Sequence, residues 1–152
     1  YRFFAGSVEE AFKKKKEVFV GEEQKNIIVF LDDEENVLNS LKRFLRTEPY
    51  DVYGTSSCED AWDFIAQNPV KIVVSDYKMP DMTGIDFLAE VKKKFPRIIR
   101  VLFTGYEEAS FNQNALLRAQ IDYFIDKPWD EDDLKNTIRK GFEEFDKKNS
   151  LP

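Results

Sequence analysis

The stretch that decides the fold is KIVVSDYKMPDMTG, residues 71–84. Its apolar run at residues 72–74 predicts a strand that is buried on both faces, as in parallel sheets. Pro80 and Gly84 prevent this strand from continuing and indicate a turn. We therefore expect Asp76 at the carboxyl end of a central strand, where open α/β sheets place their ligands.

The composition indicates one folded domain and excludes several classes of function. The 152 residues are 42% hydrophobic and 14% aromatic, which is sufficient for one core. The net charge of −6 argues against direct binding of nucleic acid. Histidine is absent and Cys58 is the only cysteine, so histidine catalysis, a phosphohistidine donor, an internal disulfide and a cysteine metal cluster are excluded. The sequence contains no run of about 18 apolar residues, so it predicts no membrane span.

The two ends of the chain differ from its middle. Residues 1–26 predict a helical tail or linker, because Ser7 and Glu10 have the spacing of a capping box and a lysine-rich segment follows. We interpret those lysines as a solvated face. The chain begins with Tyr1 rather than methionine, so we expect it to be part of a longer protein. Residues 148–152 are expected to fray.

Residues 27–147 alternate between apolar runs and amphipathic segments, which predicts one domain. The predicted strands cover residues 27–31, 51–55, 72–76, 98–103 and 121–125, and the predicted helices cover about 37–45, 59–67, 85–95, 107–119 and 131–146. Crossovers of this length require parallel neighbours with right-handed connections. The pattern predicts a doubly wound α/β fold, and at this point the strand order stays open.

Polar side chains stand at the ends of four predicted strands: Asp32 and Asp33, then Asp76, Thr104 and Lys127. Because the carboxyl ends of parallel strands share one edge, we expect these groups to converge. Three carboxylates repel one another unless a cation intervenes, and an all-oxygen ligand set favours Mg²⁺. Lysine can hold an anion and threonine can donate to a phosphoryl oxygen. A carboxylate in this setting can attack phosphorus and form an aspartyl phosphate.

Each of these motifs also has a plain structural interpretation. Asp32 and Asp33 could cap a helix, Thr104 could simply end a strand, and Lys127 with Pro128 could form an exposed turn. Complementary groups at four strand ends favour a reaction site over four unrelated structural roles.

These motifs resemble the receiver domain of the two-component response regulators, a family of phosphoacceptor domains. The resemblance covers residues 27–146 and rests on FLDDE at 30–34, SDYKMPDMTG at 75–84, LFTG at 102–105 and DKPW at 126–129. It implies a flavodoxin-like fold with a five-stranded parallel sheet of order 2-1-3-4-5 and helices on both faces.

The resemblance implies a role for each acidic residue. Asp76 would accept a phosphoryl group from a histidine kinase or a phosphotransfer protein. Asp33, Asp76 and the backbone carbonyl of Lys78 would coordinate Mg²⁺, for which Mn²⁺ can substitute, and Asp32 would act mainly through water.

The resemblance also implies a switch. Thr104 and Lys127 would contact the phosphoryl group, and the Lys127–Pro128 peptide bond would be cis. Phosphorylation would draw Thr104 inward and Phe124 into the vacated space, which remodels the face of the fourth helix, fifth strand and fifth helix. Lys78 and Tyr106 stand two residues after Asp76 and Thr104 and would flank the path of the hydrolytic water. Because Tyr106 is bulky, we expect slow self-dephosphorylation.

By the same resemblance, the chain is a cytoplasmic bacterial signalling protein that catalyses only its own phosphorylation and dephosphorylation. Its partners would be the phosphodonor, an output domain in the same chain or a downstream protein, and a second copy in a phosphorylation-dependent homodimer; nucleic acid and membranes are not expected.

Two alternatives fit the residues less well. A phosphatase of the haloacid-dehalogenase type needs threonine or valine where Glu35 stands, and a receiver-like scaffold used only for binding would lack an acid or the lysine.

Overall fold

The computed structural model of the chain describes residues 25–105 and 113–150. The tail predicted for residues 1–26 therefore lies outside the described residues, apart from Lys25 and Asn26. The same holds for Tyr106 and for the predicted beginning of the fourth helix near Glu107.

One parallel sheet forms the centre of the described residues. Its strands are β1 Ile27–Leu31, β2 Asp51–Thr55, β3 Ile72–Asp76, β4 Ile99–Thr104 and β5 Tyr123–Asp126. The spatial order is β2-β1-β3-β4-β5, and every neighbouring pair is parallel. The predicted fold class and strand order are confirmed.

Helices connect the strands. Within residues 25–105 and 113–150 they are α1 Glu35–Phe44, α2 Cys58–Gln67, α3 Gly84–Lys94, α4 Gln113–Ala119 and α5 Glu131–Ser150. Ser57 and Thr83 cap α2 and α3, because their hydroxyl oxygens accept the backbone N–H groups of Asp60 and Asp86, each at 3.1 Å. None of the described helices is long and apolar enough to cross a membrane.

The sheet carries a hydrophobic core on each face. Every residue of β1 and β3 is buried, which explains why these segments are continuous apolar runs in the sequence. Val29 and Val73 face the core formed with α2, α3 and α4, whereas Ile28 and Ile72 face the core formed with α1 and α5. Phe142 of α5 belongs to the second core.

Several element boundaries differ from the sequence-based prediction by one to four residues; β4, for example, covers Ile99–Thr104 rather than residues 98–103. The last helix continues to Ser150 rather than ending near residue 146. The fraying expected for residues 148–152 stays a prediction. There the Asn149 side chain donates to the Phe145 carbonyl at 2.7 Å and accepts from Arg97 at 2.8 Å. The fifth strand begins at Tyr123 rather than at residue 121, because the Asp122 carboxylate accepts the N–H of Arg100 that a strand carbonyl would otherwise accept.

Candidate functional site

Three carboxylates converge at the carboxyl edge of the sheet. Leu31 of β1 pairs in register with Ser75 of β3, and the residues that follow them, Asp32 and Asp76, therefore lie side by side. One carboxylate oxygen from each of Asp32, Asp33 and Asp76 lies within 4.8 Å of the others. Asp32 and Asp76 are buried and Asp33 is exposed. The predicted cluster is therefore present, with an open side at Asp33.

Lys127 joins the cluster from the end of β5. Its Nζ lies 2.7 Å from Asp32 Oδ2 and 3.2 Å from Asp76 Oδ1. Burial lowers the pKa of Lys127, but the hydrogen bonds and charges of Asp32 and Asp76 outweigh that effect and raise it overall. The ammonium group also lies 5.7 Å from the centre of the Phe103 ring. A permanent cation is therefore held between two of the three acids.

Asp32 anchors this arrangement. Its Oδ1 accepts the backbone N–H of Glu34 at 2.9 Å, and its Oδ2 accepts a hydrogen bond from Lys127. The residue at the N-cap position of α1 is Glu34. The alternative in which Asp32 and Asp33 serve as the helix cap is therefore not what the structure shows. Both Asp32 oxygens are in use, which leaves Asp33 and Asp76 with more freedom to contact a ligand.

The Asp76 carboxyl is a weaker acid than an ordinary aspartate. Burial, reinforced by the charges of Asp32 and Asp33 and opposed by Lys127, raises the pKa of Asp76 to about 6. Ionisation of Asp76 therefore costs more free energy in the folded protein than in the unfolded chain. A divalent cation would relieve the repulsion among the three carboxylates, and their oxygens are the ligands that Mg²⁺ prefers. The residues present therefore fit this ion.

The turn that follows β3 brings backbone close to Asp76. The N–H of Gly84 donates to the Tyr77 carbonyl at 2.6 Å, and the hydroxyl of Ser75 donates to the Asp76 carbonyl at 2.9 Å. A Cβ atom added at Gly84 would lie 2.0 Å from the Asp76 carbonyl oxygen. The sequence predicts the turn, but it does not reveal that only glycine fits against this carbonyl.

Thr104 and Phe124 take one defined arrangement. The hydroxyl of Thr104 donates to Asp126 Oδ1 at 3.2 Å, and the Phe124 side chain is 53% exposed. The Lys127–Pro128 peptide bond is cis. Thr104 lies at the predicted sheet edge, but its hydroxyl contacts Asp126 and not the acid cluster. Sequence reasoning gave Asp126 no role, and only the β4–β5 register identifies it as the partner of Thr104.

An aromatic stack lies along the sheet next to the cluster. The rings of Phe30 and Phe103 are 6.1 Å apart, and those of Phe103 and Trp129 are 6.0 Å apart. Phe103 is also the register partner of Asp76. These apolar rings exclude water beside Asp76 and so contribute to the desolvation that raises its pKa. Each of these residues lies in a predicted strand or motif, but nothing in the sequence indicates that their rings stack.

Known proteins resemble this chain over most of its length. The family model for the response regulator receiver domain matches residues 28–139. The hydrogenase transcriptional regulatory protein HoxA of Cupriavidus necator is 33% identical over 116 residues, which cover 76% of this chain and 24% of that protein. The chain spans about a quarter of the length of the curated relatives it matches first.

Solved structures are similar as well. A response regulator receiver domain protein (CheY-like) from Methanospirillum hungatei JF-1 has a TM-score of 0.74 at 29% identity, covering 82% of this chain and 99% of that one. The beryllofluoride-activated NtrC4 receiver domain dimer has a TM-score of 0.68 at 25% identity, covering 78% of this chain and 98% of that one.

Proposed function

This chain belongs to the response regulator receiver domains, the phosphorylation-activated switches of two-component signalling, and we propose that Asp76 is its phosphoryl acceptor. The observation that carries this proposal is the position of the Asp76 carboxylate. It is buried at the end of a central strand, 3.2 Å from the Lys127 ammonium and within one cluster with two other acids. A nucleophile held between a permanent cation and a site for a divalent one is suited to phosphoryl transfer.

In the proposed reaction, a carboxylate oxygen of Asp76 attacks the phosphorus of a phosphohistidine on a kinase or phosphotransfer protein. The new O–P bond forms as the P–N bond breaks, and the imidazole leaves with the bonding electrons. Lys127 neutralises negative charge beside the acceptor oxygen, and Thr104 donates a hydrogen bond to the transferred group. Because the chain activates its own carboxylate, it catalyses only its own phosphorylation and dephosphorylation.

Asp33, Asp76 and the Lys78 carbonyl would hold Mg²⁺ or Mn²⁺ in this proposal, with Asp32 contributing through water. When bound, the ion would neutralise charge on the phosphoryl oxygens. The exposed position of Asp33 supports this assignment, because it gives an ion a route to the cluster. Each Asp32 oxygen already accepts one hydrogen bond, from the Glu34 N–H or from Lys127, which supports the indirect role given to Asp32.

The proposed output is a change in packing around Thr104 and Phe124. The exposed Phe124 ring and the Thr104–Asp126 hydrogen bond fit the unphosphorylated arrangement. Movement of Thr104 toward a phosphoryl group would open space for the ring and alter the face formed by α4, β5 and α5. An output domain of the same protein, a downstream protein or a second copy would read that face. The NtrC4 receiver domain, a dimer when activated by beryllofluoride, supports the last of these. We place the reaction in the cytoplasm, where kinase partners have access to ATP.

Beryllofluoride binding tests the acceptor assignment, because this anion mimics a phosphoryl group on an aspartate. Calorimetric titration in the presence of Mg²⁺ is expected to show one site per chain in the wild-type protein and none in Asp76→Asn. Asp81→Asn is the matched control, because Asp81 is an exposed acid of the same loop that does not belong to the cluster. Binding that persists in Asp76→Asn would refute the assignment.

A further inference from the structure

Thr104 and Asp126 form a cross-strand pair at the edge of the phosphorylation site. They are register partners on β4 and β5, so their side chains project from the same face of the sheet. The Thr104 hydroxyl donates to Asp126 Oδ1 at 3.2 Å, and the Lys127 N–H donates to the Thr104 carbonyl at 2.8 Å. The backbone bond fixes the two strand ends, so a rotation of the Thr104 side chain can break the first bond without breaking the second.

We propose that Asp126 is a positioning residue that keeps the Thr104 hydroxyl from the phosphoryl group and thereby opposes the switch. This inference rests on the proposed function of Asp76. Its chemical basis is that a hydroxyl group has a single proton to donate. Donation to Asp126 and donation to a phosphoryl oxygen therefore exclude each other. Activation must therefore break the Thr104–Asp126 hydrogen bond. The free energy of that bond reduces the net free energy with which phosphorylation favours the active state.

The position of Phe124 agrees with this competition. Phe124 lies two residues before Asp126 on β5, so both side chains project from the face that carries Thr104. Its register partner is Leu102, two residues before Thr104 on β4. The Phe124 ring is 53% exposed in the same structure in which Asp126 holds the Thr104 hydroxyl. The retained hydroxyl and the outward ring therefore occur together, as expected if Thr104 occupies the space that the ring would fill.

The Asp126 carboxylate is well placed to compete for the proton. Among the described residues, its one hydrogen bond is to Thr104, and no lysine or arginine forms an ion pair with it. A carboxylate without a competing cation is a strong acceptor. Because Asp126 is exposed and Thr104 is only half-buried, we expect the bond to change the binding of a phosphoryl mimic by about three- to tenfold rather than by orders of magnitude.

A double-mutant cycle tests the competition. With Mg²⁺ present, Asp126→Ala is expected to tighten beryllofluoride binding by about three- to tenfold. Asp126→Asn, which keeps an accepting oxygen without the charge, is expected to fall between the wild type and Asp126→Ala. In a Thr104→Val background, which has no hydroxyl proton, Asp126→Ala is expected to have no effect. Asp132→Ala removes a comparable exposed charge at the start of α5 and is expected to leave the affinity unchanged.

Two results of this cycle would overturn the inference. One is unchanged affinity in Asp126→Ala. The other is an equal gain with and without the Thr104 hydroxyl, which would show that Asp126 acts only through its charge.

A second readout needs neither metal ion nor anion. In NMR spectra of the unmodified protein, Asp126→Ala is expected to shift the Thr104 methyl resonance and to move the Phe124 ring resonances toward those of a buried ring. Asp132→Ala is expected to leave both sets of resonances unchanged. Unchanged Thr104 and Phe124 resonances in Asp126→Ala would contradict the inference. If the wild-type protein bound no beryllofluoride, the proposed acceptor role of Asp76 would fail, and these resonances would still decide whether Asp126 holds Thr104.

Discussion

The Lys127 ammonium group lies 3.2 Å from Asp76 Oδ1 and so connects the end of β5 to the end of β3 across the intervening strand. The same ammonium lies 2.7 Å from Asp32 Oδ2, which is fully buried. One side chain therefore compensates two carboxylates that the fold places together. This bridge explains how the sheet tolerates the acid cluster before any divalent ion or phosphoryl group arrives.

Replacement of Lys127 is expected to destabilise the protein. Lys127→Ala leaves buried Asp32 without its cation, and we expect a loss of about 1–3 kcal/mol in the free energy of unfolding, measured by urea titration without divalent ions. Lys135→Ala is a matched control, because it removes a more exposed contact, the 3.7 Å pair with Glu48. That pair is expected to contribute about 0–1 kcal/mol. Equal losses in the two variants would contradict the structural role of the bridge.

The acidity of Asp76 predicts a pH-dependent stability. Burial, reinforced by Asp32 and opposed by Lys127, raises the Asp76 pKa from 3.8 to about 6. The folded protein therefore holds a proton that the unfolded chain releases. The resulting stability is complete below pH 3.8 and is lost as the pH rises through about 6.

The Asp76→Asn variant has no carboxyl to ionise at this position, so it does not lose this stability as the pH rises. Without divalent ions, we expect Asp76→Asn to gain stability relative to wild type by about 2–3 kcal/mol between pH 4 and 7.5, measured by urea titration. Asp81→Asn, which changes an exposed acid, is the control and is expected to show no such trend. A difference between Asp76→Asn and wild type that does not vary with pH would show that Asp76 ionises normally.

Magnesium is expected to stabilise the folded protein through Asp33. At ten times its dissociation constant, Mg²⁺ would add about 1.4 kcal/mol to the free energy of unfolding, which thermal or urea unfolding detects. In Asp33→Asn this gain is expected to be largely lost, whereas the metal-free variant remains at least as stable as wild type because one repulsive charge is removed. Asp81→Asn keeps the cluster and should keep the gain. Undiminished stabilisation of Asp33→Asn by Mg²⁺ would exclude Asp33 as a ligand.

Gly84 is predicted to resist substitution because of its contact with the acceptor residue. A Cβ at this position would lie 2.0 Å from the Asp76 carbonyl oxygen, which belongs to the backbone and cannot move aside easily. We expect Gly84→Ala to lower the free energy of unfolding by about 3 kcal/mol. Gly54→Ala is the control, because its Cβ would approach side-chain atoms of Leu38 and Lys42, at 3.2 and 3.3 Å, rather than backbone, and we expect a change within about 1 kcal/mol. Similar small effects at both positions would mean that the turn after β3 can shift freely.

The elements that sequence analysis predicted well are those that a local pattern determines. Residues 72–76 form a strand because their apolar run can be satisfied only by burial on both faces, and parallel crossovers then bring Asp32, Asp76 and Thr104 to one edge. The family resemblance supplied the strand order and the cis bond before Pro128, and both are present.

The features that the sequence did not reveal depend on contacts between distant residues. Nothing near Asn149 predicts its hydrogen bond to Arg97, which accompanies the extension of α5 to Ser150. Nothing in the sequence identifies the role of Arg100, which is buried and whose guanidinium donates to the carbonyls of Ala119 and Ile98. The contact between Thr104 and Asp126 likewise requires the register of β4 and β5, which no local pattern specifies.

Phosphorylation itself provides the most direct test of the central claim, that Asp76 accepts the phosphoryl group with the help of a divalent ion. The protein is incubated with acetyl phosphate and Mg²⁺, and its intact mass is measured. The wild-type protein is expected to gain the mass of one phosphoryl group, whereas Asp76→Asn, and wild-type protein in the presence of a chelator, are expected to gain none. A phosphoryl adduct of equal yield on Asp76→Asn, or no adduct on the wild-type protein with Mg²⁺ present, would contradict the account.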